Sequence, residues 1–342
     1  MHLTTRLPLS FMFFKHWHTD DTEVGVVIAK ARFERATDGM FYATQTPPEF
    51  LLEDTYEGDP ATSPLTSEQD IAPAKIGTDL LINAIARSPE AKPATDWPVS
   101  VSIADRLHYS FRVRGPSNWE HRATGWKPGK PEPVTEVPIT YALAYGGMAA
   151  GADADNPEVF EFNPSGIGYT TPQSRANKDP FPAPQIGELA EFMAADPQTE
   201  MTVHGFGPIA KSWLPRRAEA GTFDAAWQQT RHPRMPVDYG LGFWNAAPKP
   251  LQISPALAGN ETIMLAGVSH TAETVEARLP GVALTLRMTG QENSYQDMVL
   301  DTVLVDVSDQ IIEKNSLTLL WRCLITMPDR FETGDIQQMH ME

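Results

Sequence analysis

The chain has 342 residues, 41% hydrophobic and 21% charged, a composition that folds rather than one that stays disordered. Its net charge of −17 argues against nucleic acid and against an anionic membrane surface, which both select clustered Lys and Arg. The single cysteine, Cys323, excludes an internal disulfide and fits a reducing compartment.

In chain order, residues 7–14 are apolar but broken by Pro8 and Ser10, with no small-residue cleavage site, so they do not read as a signal peptide. No apolar run reaches the ~18 residues that span a membrane, and a bacterial cytoplasmic location is expected. Residues 23–33 are β-branched at their centre and read as a strand; Thr37-Asp38-Gly39 then turns the chain back over residues 40–44. Residues 45–75 are rich in Pro, Asp, Glu, Thr and Ser and read as a surface excursion. An apolar run follows at 80–85. Alternation over 99–113 predicts a hairpin turning at Ala104-Asp105-Arg106.

The Lys/Pro/Glu-rich stretch 127–138 predicts a linker between lobes 1–130 and 131–342, unless the two form one compact unit. A Pro-rich loop at 172–184 precedes a short helix within 185–195. Further on, 262–268, 282–288, 302–307 and 317–326 read as strands, the last two as an antiparallel pair turning through 309–315. Cys323 lies in the last of them and reads as a buried, inert thiol. Residues 329–342 read as a frayed polar tail. The fold class expected is mainly β, an antiparallel sandwich or barrel-like arrangement with a few short helices and long Pro-rich loops.

One stretch stands apart. Residues 204–248 hold Phe206, Trp213, Phe223, Trp227, Tyr239, Phe243 and Trp244, together with Arg216, Arg217, Arg231 and Arg234. Frequent Pro and Gly make it a particular path rather than one regular element. A short helix is expected after Gly221, with Thr222 as N-cap, Asp224 in the first turn, and Phe223 and Trp227 on one face. The rings read as core and the arginines as solvated or paired with carboxylates such as Asp224 and Asp238, or else the set is a platform for a partner.

Several motifs in this stretch carry a resemblance. They are Gly205-Phe206-Gly207-Pro208-Ile209, Trp213 followed by Arg216 or Arg217, and Gly221-Thr222-Phe223-Asp224 with Trp227. Arg231-x-Pro233-x-x-Pro236-x-Asp238, Phe243-x-Asn245-Ala246-Ala247-Pro248 and Gly259-Asn260-Glu261 follow. Upstream stand Lys30-Ala31-Arg32-Phe33, Tyr141 with Tyr145-Gly146-Gly147, and Asn163-Pro164-x-Gly166-x-Gly168-Tyr169. Together they resemble a bacterial domain-of-unknown-function family encoded beside type VI secretion effector genes. The resemblance implies an adaptor or chaperone that binds a cargo effector, or its PAAR-like tip domain, and loads it onto the valine-glycine-rich spike protein. Trp213, Arg216, Arg217, Arg231 and Arg234 are the candidate partner-binding residues. A carbohydrate-active or carbohydrate-binding β-protein and a structural component of the spike are the alternatives.

Other chemistry is weakly encoded. Gly205-x-Gly207 is followed by Pro208 and Pro215, which spoil a phosphate-binding turn and helix. Gly267-Val-Ser269-His270 lacks the last glycine of a nucleophile elbow, and Asp153-Ala-Asp155-Asn156-Pro157 fails a calcium loop. His16-Trp17-His18 could bind a metal only with distant help. Asp224 and Asp238 are the carboxylates that a glycosidase reading would use. No catalytic residue, metal or cofactor is expected.

Overall fold

The computed structural model describes residues 2–149, 158–193, 196–289, 294–326 and 333–340. Two sheets face each other, and the fold is mainly β with short helices. The larger sheet runs Glu136–Pro138, Thr78–Arg87, Val299–Val307, Ser316–Thr326, Glu23–Arg35, Ser10–Trp17. The smaller runs Ile186–Gly187, Leu107–Arg114, Asp96–Ile103, Thr262–Ala266, Thr274–Arg278. Alternation along each strand decides what lies between them. From the larger sheet, Val27, Ala29, Phe33, Val303, Leu319 and Trp321 point into the shared core; Val99, Val101, Phe111, Ile263 and Leu265 meet them from the smaller one.

The expected strands are present, and the hairpin turns where its sequence predicts, with Ile103 opposite Leu107. The antiparallel pair formed by Val299–Val307 and Ser316–Thr326 is also present. Periodicity does not reveal pairing partners, and one pairing is parallel: Thr78–Arg87 lies beside Val299–Val307, with Leu80 opposite Val303. Both strands are interior to the sheet, which accounts for their nearly continuous apolar character.

Three expectations change. Residues 127–138 are not a free linker, because Gly125–Pro128 pairs with Asn118–Arg122 and Glu136–Pro138 edges the larger sheet against Thr78–Arg87. Both main sheets draw strands from either side of residue 130, so neither segment 1–130 nor 131–342 closes a sheet alone. Within the expected tail, Thr333–His340 is a strand, paired antiparallel with Val282–Thr289 and parallel with His2–Thr5. Its backbone bonds hold it where a polar sequence suggested fraying; residues 329–332 and 341–342 lie outside the described residues. Ser10–Trp17, unassigned from sequence, is an edge strand.

Residues 45–75 cross the face of the larger sheet turned away from the core. Phe50 packs on Val26, Ile28 and Leu320 there. The surface excursion is present, with residues 51–62 mostly exposed, and its later part is fastened as a strap over the sheet. Among the described residues no helix is long and apolar enough to cross a membrane.

Candidate functional site

The stretch 204–248 is laid down by its rings. Phe206 and Trp213 are almost wholly buried. Phe206 sits 4.9 Å from Phe111, and Trp213 meets Tyr141 edge-on at 5.4 Å. A Cβ at Gly205 would stand 2.7 Å from the Tyr141 ring, so this glycine serves close ring packing rather than a phosphate. The Tyr141 hydroxyl donates to the Gly207 carbonyl at 3.2 Å. Asn163 donates to the Tyr141 and Tyr145 carbonyls at 2.9 and 3.0 Å, fixing the glycine-rich turns that precede the stretch.

Beneath it runs a seam of paired charges. Lys30, Lys75, Lys211, Arg216 and Arg322 meet Asp54, Glu68, Asp70, Asp79 and Asp301, so the seam has no net charge. Asp79 leaves the strand Thr78–Arg87 fully buried and accepts from Lys75 Nζ at 2.9 Å, Ala246 N at 2.8 Å and Asn245 Nδ2 at 3.0 Å. Asn245 in turn exchanges bonds of 3.0 and 3.1 Å with the backbone of Ile76. Glu68, on the strap, accepts from Arg216 at 2.5 Å and has Lys211 and Lys75 at 3.5 and 3.7 Å. Asp70 pairs with Lys30 at 2.7 Å. A β-bulge between Leu300 and Thr302 frees Asp301 to pair with Arg322, whose guanidinium also reaches the Ala72 carbonyl on the strap. The seam thus ties sheet, strap and stretch 204–248 together.

A cavity of about 80 Å³, lined in part by Lys30, Glu68, Lys75, Thr302 and Arg322, lies in this seam. Burial, the strongest influence on Lys75, disfavours its charge. Asp79, Glu68 and Asp301 outweigh that and hold its pKa above the ordinary value. A lysine kept charged and already bonded is a poor base or nucleophile. The geometry is that of a fastening.

The five candidate partner-binding residues separate. Trp213 and Arg216 are each 2% exposed. The Arg216 guanidinium donates to the carbonyls of Ile209 and Phe243 and to Glu68. Burial removes both from a partner's direct reach, and their work is to hold the stretch in place. Arg217, the neighbouring residue in the one-turn helix Leu214–Arg217, is 47% exposed on its side chain and pairs with Glu161 at 2.7 Å. Arg231 and Arg234 both approach Asp21, at 2.7 and 4.0 Å. Arg234 also lies over the Trp17 ring at 5.5 Å. The arginine partners are thus Glu68, Glu161 and Asp21 rather than Asp224 or Asp238.

Residues 221–239 form an arm clamped by local bonds. Asp238 accepts from the Thr222 amide and hydroxyl at 3.0 and 2.7 Å, and those bonds, the hydroxyl's first, lower its pKa. The helix is Ala225–Thr230, and its N-cap is Asp224, which accepts from Trp227 N at 2.8 Å; Thr222, the expected cap, lies outside it. Trp227 is half-buried rather than core. Its ring packs between Phe223 and His232, and its Nε1–H donates to the Arg234 carbonyl at 2.8 Å. This leaves Phe223 54% and Val237 82% exposed on a rigid projection.

The other candidate chemistries find no support in their surroundings. Ser269 Oγ accepts from the Ala272 amide at 3.1 Å, and His270 Nδ1 faces the Ser88 carbonyl at 2.8 Å, so no base addresses that hydroxyl. The adjoining cleft of about 410 Å³ contains Arg87, already bonded to Glu136 and to the carbonyls of Val268 and Ser308. Burial pushes the Cys323 thiol up to about 12. Among the described residues no three His, Cys, Asp or Glu side chains are grouped to hold a metal ion. Asp153, Asp155 and their neighbours lie outside the described residues.

Sequence reading missed the acidic half of the seam, because Asp54, Glu68 and Asp70 stand in a segment whose composition suggests solvent. A usable signal is the pairing of an isolated Asp79 before an apolar run with Asn245 between aromatic and small residues: each is a polar group within a buried context.

Residues 20–322 match the model of a family described as an uncharacterised protein conserved in bacteria, DUF2169. No curated protein and no solved structure matches the chain.

Proposed function

This chain belongs to the bacterial family DUF2169, and we propose that it is a cytoplasmic adaptor that binds a type VI secretion effector, or its PAAR-like tip domain, and delivers it to the spike. The observation that carries a binding role is the arm 221–239. It carries an exposed Phe223 and Val237 and the half-exposed Arg234, and it is clamped by Asp224, Asp238 and the Trp227–Arg234 bond. Aromatic and arginine side chains on a rigid support are what interface hot spots favour, because little freedom is lost when they bind. The link to secretion comes from the motif resemblance. The glycosidase alternative is weakened because Asp224 and Asp238 are both bonded to the arm's own backbone. Arg217, Arg231 and Arg234 are the arginines left for a partner; Trp213 and Arg216 act by holding the surface.

Co-expression with the products of the adjacent genes tests this. A neighbouring effector or tip protein should co-purify with the native chain. Phe223→Ser with Arg234→Glu should remove it while leaving the melting temperature within a few degrees of native. Arg216→Glu should instead unfold the chain. If no neighbouring product binds the native chain, the adaptor reading fails. If one binds and the arm variant retains it, the contact lies elsewhere.

A further inference from the structure

The strand Ser10–Trp17 closes one side of the larger sheet and, among the described residues, pairs only with Glu23–Arg35. The direction of its backbone groups follows from the register. His18 N donates to the Thr22 carbonyl at the hairpin end, and Arg35 N donates to Asn315 on the opposite side of the partner strand. These two bonds fix the alternation. Ser10, Met12, Phe14 and His16 bond inward to Lys30, Ile28, Val26 and Val24. The N–H and C=O groups of Phe11, Phe13, Lys15 and Trp17 point away from the sheet, and no described residue bonds them.

A single lysine is the one usual protection this edge carries. The strand contains no proline and no bulge, and Lys15 is its one exposed charged side chain. Phe11, Phe13, Phe14 and Trp17 are all half-buried, so their rings form apolar rims on both faces of the open edge. The arm adjoins it through Arg234 over Trp17 and Arg231 on Asp21.

We propose that this edge receives an extended segment of the cargo polypeptide as an added strand. The occupant is apolar at alternate positions and carries no net negative charge. This rests on the adaptor reading and specifies how that partner is held. A row of outward donors and acceptors at every second residue is complementary to another strand and to little else. The charge argues for a foreign segment over a second copy, since pairing two edges of this chain would bring together two molecules of −17 each.

The test uses the full chain co-expressed with the adjacent-gene cargo. Lys15→Pro removes an outward N–H and places a ring on the edge without touching a backbone bond to Glu23–Arg35; it also loses the Lys15–Glu23 ion pair, which the alanine variant loses equally. Lys15→Ala keeps the N–H and removes the side chain. Cargo affinity should fall about tenfold or more in the proline variant and stay native in the alanine variant. Amide exchange at Phe11, Phe13, Lys15 and Trp17 should slow when cargo binds the native chain. Cargo that binds native and Lys15→Pro chains alike, with unchanged exchange at the edge, overturns strand addition and leaves the adaptor reading standing. Failure of any adjacent-gene product to bind the native chain overturns the adaptor reading instead. A dimer of this chain that Lys15→Pro dissociates would assign the edge to a second copy and also refute the proposal.

Discussion

Asp79→Asn is the most informative single substitution, because it changes one oxygen to nitrogen at the point where sheet, strap and stretch 204–248 meet. The carboxylate is fully buried and receives three donors: Lys75, Ala246 N and Asn245 Nδ2. An asparagine can keep its oxygen toward Lys75 and Ala246, but its NH2 then faces the Asn245 NH2. Asn245 cannot turn over to relieve this, since Ile76 holds both ends of its amide. The variant therefore leaves a buried donor unmatched and Lys75 without its nearest counter-charge. Removing one partner of a buried ion pair costs about 3–5 kcal/mol. Glu68 remains 3.7 Å from Lys75, which places the expected loss near the lower end, about 3 kcal/mol. Urea melts followed by tryptophan fluorescence measure it, with an unchanged slope showing that the denatured state is not the cause. A loss below about 1 kcal/mol would mean that the seam is wet and screened, and the fastening role would be wrong.

Two further outcomes follow from burial. Trp213→Ala should cost about 3–5 kcal/mol, while Trp227→Ala, which removes a half-buried ring, should cost about 1–2 kcal/mol; equal losses in denaturant melts would contradict the arm's exposure. His204 is buried, with its Nδ1 3.0 Å from the Tyr109 hydroxyl, and burial lowers its pKa despite the opposing pull of Glu191 and Glu188. A depressed histidine pKa means that the unfolded chain takes the proton first. The stability it contributes is complete above about 6.5 and is lost as pH falls from there through the folded value. Thermal midpoints across that window should fall less in His204→Gln than in the native chain, and parallel curves would exclude the histidine.

How far the sequence discloses this protein depends on what local order can encode. Strands such as Glu23–Arg35 and the hairpin at residue 104 are visible because alternation follows from which face is buried. The parallel neighbour of Thr78–Arg87 is invisible, since an apolar run looks the same beside any partner. Polar composition misleads twice. Within residues 45–75 Asp54, Glu68 and Asp70 bond cations although the surrounding polar composition suggests solvent, and Thr333–His340 is polar although its backbone is paired. At the candidate site, adjacent Arg216 and Arg217 have opposite fates because one step around a helical turn moves a side chain from the core to solvent. A four-residue helix is too short for periodicity to set that phase. The N-cap is ambiguous in sequence for a related reason: Thr222 and Asp224 are both good caps, and only the chain path distinguishes them.

The parallel pair in the larger sheet also constrains how the chain is made. Thr78–Arg87 leaves the ribosome more than two hundred residues before its neighbour Val299–Val307. At ordinary translation rates that is a wait on the order of ten to forty seconds. Glu23–Arg35 waits longer for Ser316–Thr326, with only its hairpin partner Ser10–Trp17 and the short Phe41–Ala43 to pair with meanwhile. The two strands that complete the sheet interior are thus the last of that sheet to be synthesised, and the strap's contacts with Thr302 and Arg322 wait for them. Completion of the larger sheet consequently waits for the chain beyond residue 299. A nascent chain stalled before residue 299 would present two apolar strand edges to any holdase near the tunnel exit.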